Sequence, residues 1–239
     1  MLSLFFVSLI PSSGVVILDG DEAHHALTVT RLTTGDELLM SDGKGSWARG
    51  RISTATKRSA EIEVLERGIE QTVTPTLTVV QGIPKSDRIK ETIELLTEAG
   101  VDRIIPWQAA RSIAKFQDDS LGKWQNGAMA AAKQSRRFRI PEVTSAQTTH
   151  SLADVLASSR IVVLHESATQ TFTQIVDDSW RSATEIAIVI GPEGGISDEE
   201  LQSFSERGAD IVSLGSPVFR SAHAGIAALS ALQTALGRW

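Results

Sequence analysis

The segment Ile190-Gly191-Pro192-Glu193-Gly194-Gly195 joins an apolar run, Ile186–Ile190, to the stretch Ser197-Asp198-Glu199-Glu200. Glycines at 191, 194 and 195 admit positive φ and let a ligand lie against the backbone, and the carboxyl end of a parallel strand is where open α/β sheets bind small molecules. Ser197 followed three residues later by Glu200 is the spacing of a capping box, so a helix starts there whatever the glycines do. Neither GxGxxG nor a Walker lysine is present, so nothing specifies phosphate. On these residues alone, a plain tight strand-to-helix turn accounts for the glycines as well as a ligand loop does. A second loop, Leu214-Gly215-Ser216-Pro217-Val218-Phe219-Arg220, runs into Ala222-His223-Ala224-Gly225, and two glycine loops at neighbouring strand ends predict a pocket. Arg220, at the entry to the helix, either meets an anionic substrate or is solvated or salt-bridged.

A third segment, Lys133-Gln134-Ser135-Arg136-Arg137-Phe138-Arg139, places four cations in seven residues at the end of an alanine-rich helix. Cations are favoured in a last helical turn by the helix dipole. Four of them beside an aromatic ring that can stack on a base also suit RNA, and Lys85, Arg88, Arg103, Arg111 and Lys115 extend the patch on that reading. A solvated charged face is the alternative. The pair His24-His25 has no matching ligand cluster, so no metal site is expected.

These residues need elements to hold them, and the elements fall into two grammars. Up to about Thr72 the chain reads as short strands joined by turns: Leu4–Leu9, Val15–Leu18, Glu37–Ser41, Trp47–Ile52 and Ala60–Leu65, with Asp42-Gly43 as a hairpin turn, the pattern of a small barrel. Beyond Thr74-Pro75, strands alternate with helices, which predicts an α/β fold with a mostly parallel sheet. Strands are expected at Leu77–Gln81, Arg103–Pro106, Arg160–Leu164, Glu185–Ile190 and Ile211–Leu214, several of them continuous apolar runs buried on both faces. Helices are expected over Asp87–Ala99, with Ile89, Ile93 and Leu96 on one stripe, through Leu121, Trp124, Ala128 and Ala132 with its end set by Pro141, and over Ala222–Leu236. The domains expected are residues 1–72 and 73–239.

With 239 residues, 41% hydrophobic and 22% charged, the chain suits one or two globular domains. The absence of cysteine excludes disulfides, thiolate zinc sites and cysteine nucleophiles. A net charge of −6 argues against a generally basic coat, so RNA binding has to rest on local clusters. Leu2–Ile10 is apolar but lacks a basic flank and a cleavage site and is too short to span a bilayer; it reads as a first strand of a cytoplasmic, non-membrane protein.

Taken in order, the motifs resemble the 16S ribosomal RNA uracil-N3 methyltransferases of the SPOUT superfamily over most of the chain. They are Glu22-Ala23-His24-His25, Thr30-Arg31-Leu32, Gly35-Asp36-Glu37 and Asp42-Gly43-Lys44-Gly45; then Lys85-Ser86-Asp87-Arg88, Thr97-Glu98-Ala99-Gly100-Val101, Arg111-Ser112 and Ala131–Arg137 with Ile140-Pro141; then Ile190–Gly195 and Leu214-Gly215 with Val218-Phe219-Arg220. The resemblance implies a PUA-like β-barrel over 1–72 that contacts RNA, and over 73–239 a SPOUT-type parallel sheet with a carboxyl-terminal trefoil knot. It implies S-adenosylmethionine as cofactor and no metal. The partners it implies are 16S ribosomal RNA within the small subunit and a second copy of the chain in a homodimer.

On this resemblance the cofactor lies against Leu164, His165 and Glu166, against Ile190, Gly191, Pro192, Glu193, Gly194 and Gly195, and against Leu214, Gly215, Ser216, Val218, Phe219 and Ala224. Arg220 steadies the uracil anion, with Arg136 as second candidate; Arg31, Lys85, Arg88, Arg111, Lys133, Gln134, Arg137 and Arg139 meet RNA. The chain departs from the pattern at Ser221-Ala222-His223-Ala224, where the family often has Glu-Thr-Ala after the loop arginine, and at Leu95, where many members have lysine. No general base stands out. Glu193 and His223 are candidates, although Glu193 equally suits holding the loop and His223 an exposed helix position. Methylation of another RNA, or a cofactor-free RNA-binding scaffold, is the competing function.

Overall fold

The computed structural model describes residues 2–239. Its contacts divide the chain into two units, one running up to Gln71 together with Ala132–Ile140, the other comprising Thr72–Ala131 and Pro141–Trp239.

The first unit is built on a five-stranded sheet: β1 (Leu4–Phe6), β2 (Val15–Leu18), β3 (Glu37–Ser41), β4 (Ser46–Ala55) and β5 (Ala60–Ile69), in the order β1-β3-β4-β5-β2. Strand β1 runs parallel to β3; the other pairs are antiparallel. Alternation puts Val16, Leu18, Leu38, Met40, Ala48, Ile52 and Ile62 in one core, where they meet Ala23 and Ala26 from α1 (Gly20–His24) and the π-helical turn His25–Val29. Two register shifts in β4 against β5, at Arg49/Gly50 and Ile52/Thr54, are bulges that bend and twist the ribbon. The Asp42 carboxylate accepts from the N–H groups of Lys44 and Ser46, and Gly43 and Gly45 take φ of 73° and 108°, so the β3–β4 turn forms where the Asp-Gly pair predicts it.

The second unit contains β6 (Thr76–Gly82), α2 (Ile89–Glu98) after a 3-10 turn at Ser86–Arg88, β7 (Arg103–Gln108), most of α3 (Ser120–Ser135), β8 (Glu142–Val143), β9 (Gln147–Thr148) and α4 (Leu152–Val155). There follow β10 (Arg160–Leu164), α5 (Phe172–Ile175), β11 (Glu185–Ile190), α6 (Asp198–Ser205), β12 (Asp210–Val212) and α7 (Ser221–Ala235). The strands pair in parallel in the order β12-β10-β11-β6-β7-β8, with β9 also on β7. Strands β6 and β11 are buried almost end to end; β11 is a continuous apolar run after Glu185, whereas β6 also buries Thr78 and Gln81. Helix α7 packs on α2 and on strands β6 and β11. Gly225 makes that approach feasible, since a Cβ there would run into the Leu96 side chain.

Several expected termini change: β4 and β5 run on to Ala55 and Ile69, past the Ile52 and Leu65 expected, and β12 stops at Val212, short of Leu214. Leu4–Leu9 contracts to a three-residue strand. Helix α3 ends at Ser135, well before Pro141. The stop is a Schellman motif: Arg136 has φ of 57°, its N–H donates to the Lys133 carbonyl, and the Arg137 N–H donates to the Ala132 carbonyl. An arginine occupies the left-handed position that usually goes to glycine.

Candidate active site

Strands β10, β11 and β12 end in register, with Leu164 opposite both Ile190 and Val212, so the three loops that follow leave the sheet at one level. Together with the turn after β6 they enclose a cleft of about 710 Å³, within the usual span of small-molecule sites. Leu164, His165 and Glu166 form one wall, Ile190 to Ile196 a second, and Ser213 to Gly215 with Pro217 to Ala224 a third. Of the residues expected to hold a cofactor, Ser216 does not line the cleft. Lys85, Arg88 and Arg111, expected to meet RNA, line it as well.

The first glycine loop is shaped chiefly by the protein's own packing. Only Gly195 has positive φ, at 77°. A Cβ on Gly194 would come within 2.7 Å of the Arg111 carbonyl oxygen, and one on Gly191 within 2.8 Å of the Ile196 side chain. Neither Gly191 nor Gly194 takes the positive φ expected of it; both admit neighbouring chain, and both line the cleft. Gly82, at the end of β6, is as restricted: its Cβ would lie 2.5 Å from the Pro192 nitrogen. The loop is then tied down by polar groups. Ser197 and Glu200 make the capping box, and the other oxygen of Glu200 accepts from the Ala110 N–H at 2.9 Å and the Thr149 hydroxyl at 2.8 Å. The Glu193 carboxylate accepts from the Lys85 N–H at 3.1 Å, which is a loop-holding role. Arg111 donates to the Ile196 carbonyl.

Buried Gln81 links three elements: its amide donates to the Ser221 hydroxyl at 3.0 Å, and Ser221 donates to the Gly191 carbonyl at 2.6 Å. Neither residue stands out in the sequence, because each lies beside a motif and the two are 140 positions apart. On the α2 side, Glu91 accepts from Arg88 at 2.8 Å and bonds His223 Nε2 at 3.1 Å. Arg88 first, and His223 second, hold the Glu91 carboxyl below the ordinary carboxylate range; Glu91 in turn raises Arg88. The second glycine loop is different in kind. Among the described residues, none forms a hydrogen bond with Leu214 to Phe219, so the backbone donors and acceptors of that loop face solvent and the cleft. The Arg220 and Lys85 side chains likewise have no ion-pair or hydrogen-bond partner among the described residues.

Residues 72–233 match an RNA methyltransferase domain and residues 18–65 an RNA methyltransferase PUA domain. Ribosomal RNA small subunit methyltransferase E of Mycobacterium tuberculosis is 40% identical over 99% of this chain and 93% of its own length. The chain belongs to the ribosomal RNA small subunit methyltransferase E family. The Bacillus subtilis member is 31% identical, covering 90% of this chain and 88% of its own. The Neisseria gonorrhoeae member, whose crystal structure is described as bound to S-adenosyl methionine, superposes with a TM-score of 0.88 at 26% identity over 98% of each chain.

Within this family member the basic segment at the end of α3 is largely engaged in its own unit. Lys133 Nζ contacts both oxygens of Glu22 at 2.6 and 2.7 Å and lies over the Phe5 ring. Arg136 donates to the Leu2 carbonyl, and Arg139 to the Glu70 carbonyl. Phe138, expected to be available to a base, stacks on Trp47 with ring centroids 5.2 Å apart, because its carbonyl is already fixed by Gly45 and Ser41. Gln134 is exposed, Arg137 is half-buried, and Arg31 is exposed in the first unit at φ of 61°. No helix among the described residues is long and apolar enough to cross a membrane, and none of their His, Asp and Glu side chains group to hold a metal.

Proposed function

We propose that this chain methylates N3 of a uridine in 16S ribosomal RNA, using S-adenosylmethionine held in the cleft at the ends of β10, β11 and β12. The observation that carries the reading is the pairing of an unbonded backbone loop, Leu214 to Phe219, with an unpartnered arginine, Arg220, on one cleft. A cofactor that presents an adenine edge and an amino-acid head needs free backbone donors and acceptors, and that loop supplies them. Its own charge is met by a lining in which acids and bases are mixed, Glu166 and Glu193 beside Lys85 and Arg111. Leu164 to Glu166, Ile190 to Gly195, Leu214, Gly215, Val218, Phe219 and Ala224 would hold it.

When bound, the cofactor supplies a methyl group already activated on a sulfonium. The protein orients and excludes water. Arg220, at the start of α7, offers guanidinium N–H groups to a uracil carbonyl and stabilises the charge left when N3 loses its proton. Lys85 meets the adjoining phosphates, with Arg31, Gln134, Arg137 and Arg139 as further RNA contacts on the first unit. The strand order supports a trefoil knot: α7 packs on β6 and β11 although it follows the edge strand β12, so residues 213–220 return across the sheet ends. A homodimer is supported by the apolar side chains that the second unit leaves exposed, Ile113, Val218 and Phe219. A cytoplasmic location and the assembled small subunit as substrate follow from the same reading.

The test is calorimetric titration with S-adenosylmethionine together with mass-spectrometric mapping of small subunits incubated with protein and cofactor. Micromolar binding and one new N3-methyluridine are expected. A methyl group on a ribose or on another base would replace the uracil assignment.

A further inference from the structure

The reaction needs a group to take the N3 proton. We infer that His223 is that base, with its Nδ1 as the accepting atom and Glu91 as the positioning residue behind it; this rests on the methyltransferase reading above. A carboxylate can only accept, so the 3.1 Å contact between His223 Nε2 and Glu91 Oε1 is an Nε2–H donating to Glu91. Arg88, donating to the other Glu91 oxygen at 2.8 Å, keeps that carboxylate ionised and aimed. With the proton fixed on Nε2, the lone pair of a neutral ring lies on Nδ1, which has no partner among the described residues. This is the arrangement in which a carboxylate sets the tautomer of a general base.

Position agrees with role. His223 follows Arg220, the N-cap of α7, by three residues, and both line the cleft. One base can therefore lie with a carbonyl on Arg220 and its adjacent N3–H toward His223. The other candidate, Glu193, spends an oxygen on the Lys85 N–H. Imidazoles as a class also match a nitrogen acid near neutral pH better than carboxylates do. In the step, the N3 proton passes to Nδ1, the N3 electron pair forms the new N–C bond, and the electron pair of the breaking C–S bond stays on sulfur. The charged groups that line the cleft with His223 on the neighbouring elements are Glu91 from α2, Asp87 and Arg88 from the 3-10 turn before it, Arg220 from the N-cap of α7, Glu193 from the β11 loop and Lys85 from the turn after β6.

The experiment uses the full chain as H223A, H223Q and E91A. Long-range ¹⁵N–¹H spectra of histidine-labelled wild-type protein, without cofactor, should show His223 protonated at Nε2 when neutral, and E91A should show mixed tautomers. Single-turnover methyl transfer to small subunits should fall about 10²- to 10⁴-fold in H223A and H223Q, and about tenfold in E91A, with S-adenosylmethionine affinity within about threefold of wild type. The rising limb of the wild-type pH–rate profile should move to higher pH in H223Q. A neutral ring protonated at Nδ1 in the wild type, or wild-type turnover in H223Q, overturns the base assignment and leaves the methyltransferase reading intact. Failure of the wild type to bind S-adenosylmethionine overturns both.

Discussion

Replacing Gly82 with alanine tests whether the cleft depends on the β6 end meeting the glycine loop. The new Cβ would lie 2.5 Å from the Pro192 nitrogen, 2.7 Å from its Cδ and 2.8 Å from the Gly191 carbonyl carbon, and ordinary contact begins at 3.4 Å. The loop therefore recedes by about 0.9 Å, or the strand end deforms, at about 1–3 kcal/mol for an overpacked site. That free energy emerges in one of two places. If the loop stays in place, unfolding in urea registers it; if the loop retreats, apparent affinity for S-adenosylmethionine falls, by roughly 5- to 150-fold for the same energy. Calorimetry and urea denaturation on one preparation capture the sum. Gly195→Ala is the informative comparison, because it meets nothing closer than 3.8 Å but carries φ of 77° and so costs about 1–2 kcal/mol of backbone strain without displacing a neighbour. Wild-type stability and wild-type affinity together in Gly82→Ala would refute the reasoning.

Arg220→Ala should lower single-turnover methyl transfer about 10²- to 10³-fold while RNA affinity in filter binding changes little; full turnover would remove its role at the base. Lys85→Ala should weaken RNA binding and flatten its salt dependence by roughly 0.7–0.9 of a unit, one phosphate contact, which a titration over salt reads directly. Lys133→Ala should reduce stability by about 1 kcal/mol in urea, since it leaves a half-buried Glu22 without its partner. Glu91 titrates lower in the folded chain than in the unfolded one, so its contribution is complete above the unfolded value near 4.3 and is lost as falling pH passes the folded value; carboxyl NMR should place its midpoint below the ordinary range. A monomer in ultracentrifugation at micromolar concentration, fully active, would remove the homodimer.

Much of the frame is legible because burial leaves a pattern. Val15–Leu18 and Glu37–Ser41 alternate and form strands over those same residues; Arg160–Leu164 and Glu185–Ile190 are each an apolar run behind one charged residue and do likewise. The helix start at Ser197 follows from a local reciprocal bond that needs no tertiary information. Strands β8 and β9 and helices α4 and α5 are two to four residues long, below the length at which periodicity exists. The Glu91–His223 pair spans 132 positions and the Gln81–Ser221 link 140, so both depend on α7 returning to β6 and α2, which no local pattern encodes. Phe138 and Lys133 show the opposite failure: a conspicuous basic and aromatic cluster whose members were already committed to Trp47 and Glu22.

The unbonded run from Leu214 to Phe219 also has a thermodynamic consequence. Holding a residue in one backbone conformation costs on the order of 1–2 kcal/mol of entropy, and this loop has no hydrogen bond to a described residue to offset it. Ligand contacts must supply that ordering, so association should be favoured by enthalpy and opposed by entropy, and should weaken on warming. Protease sensitivity between Gly215 and Phe219 should then track cofactor occupancy, while the strand ends on either side stay protected.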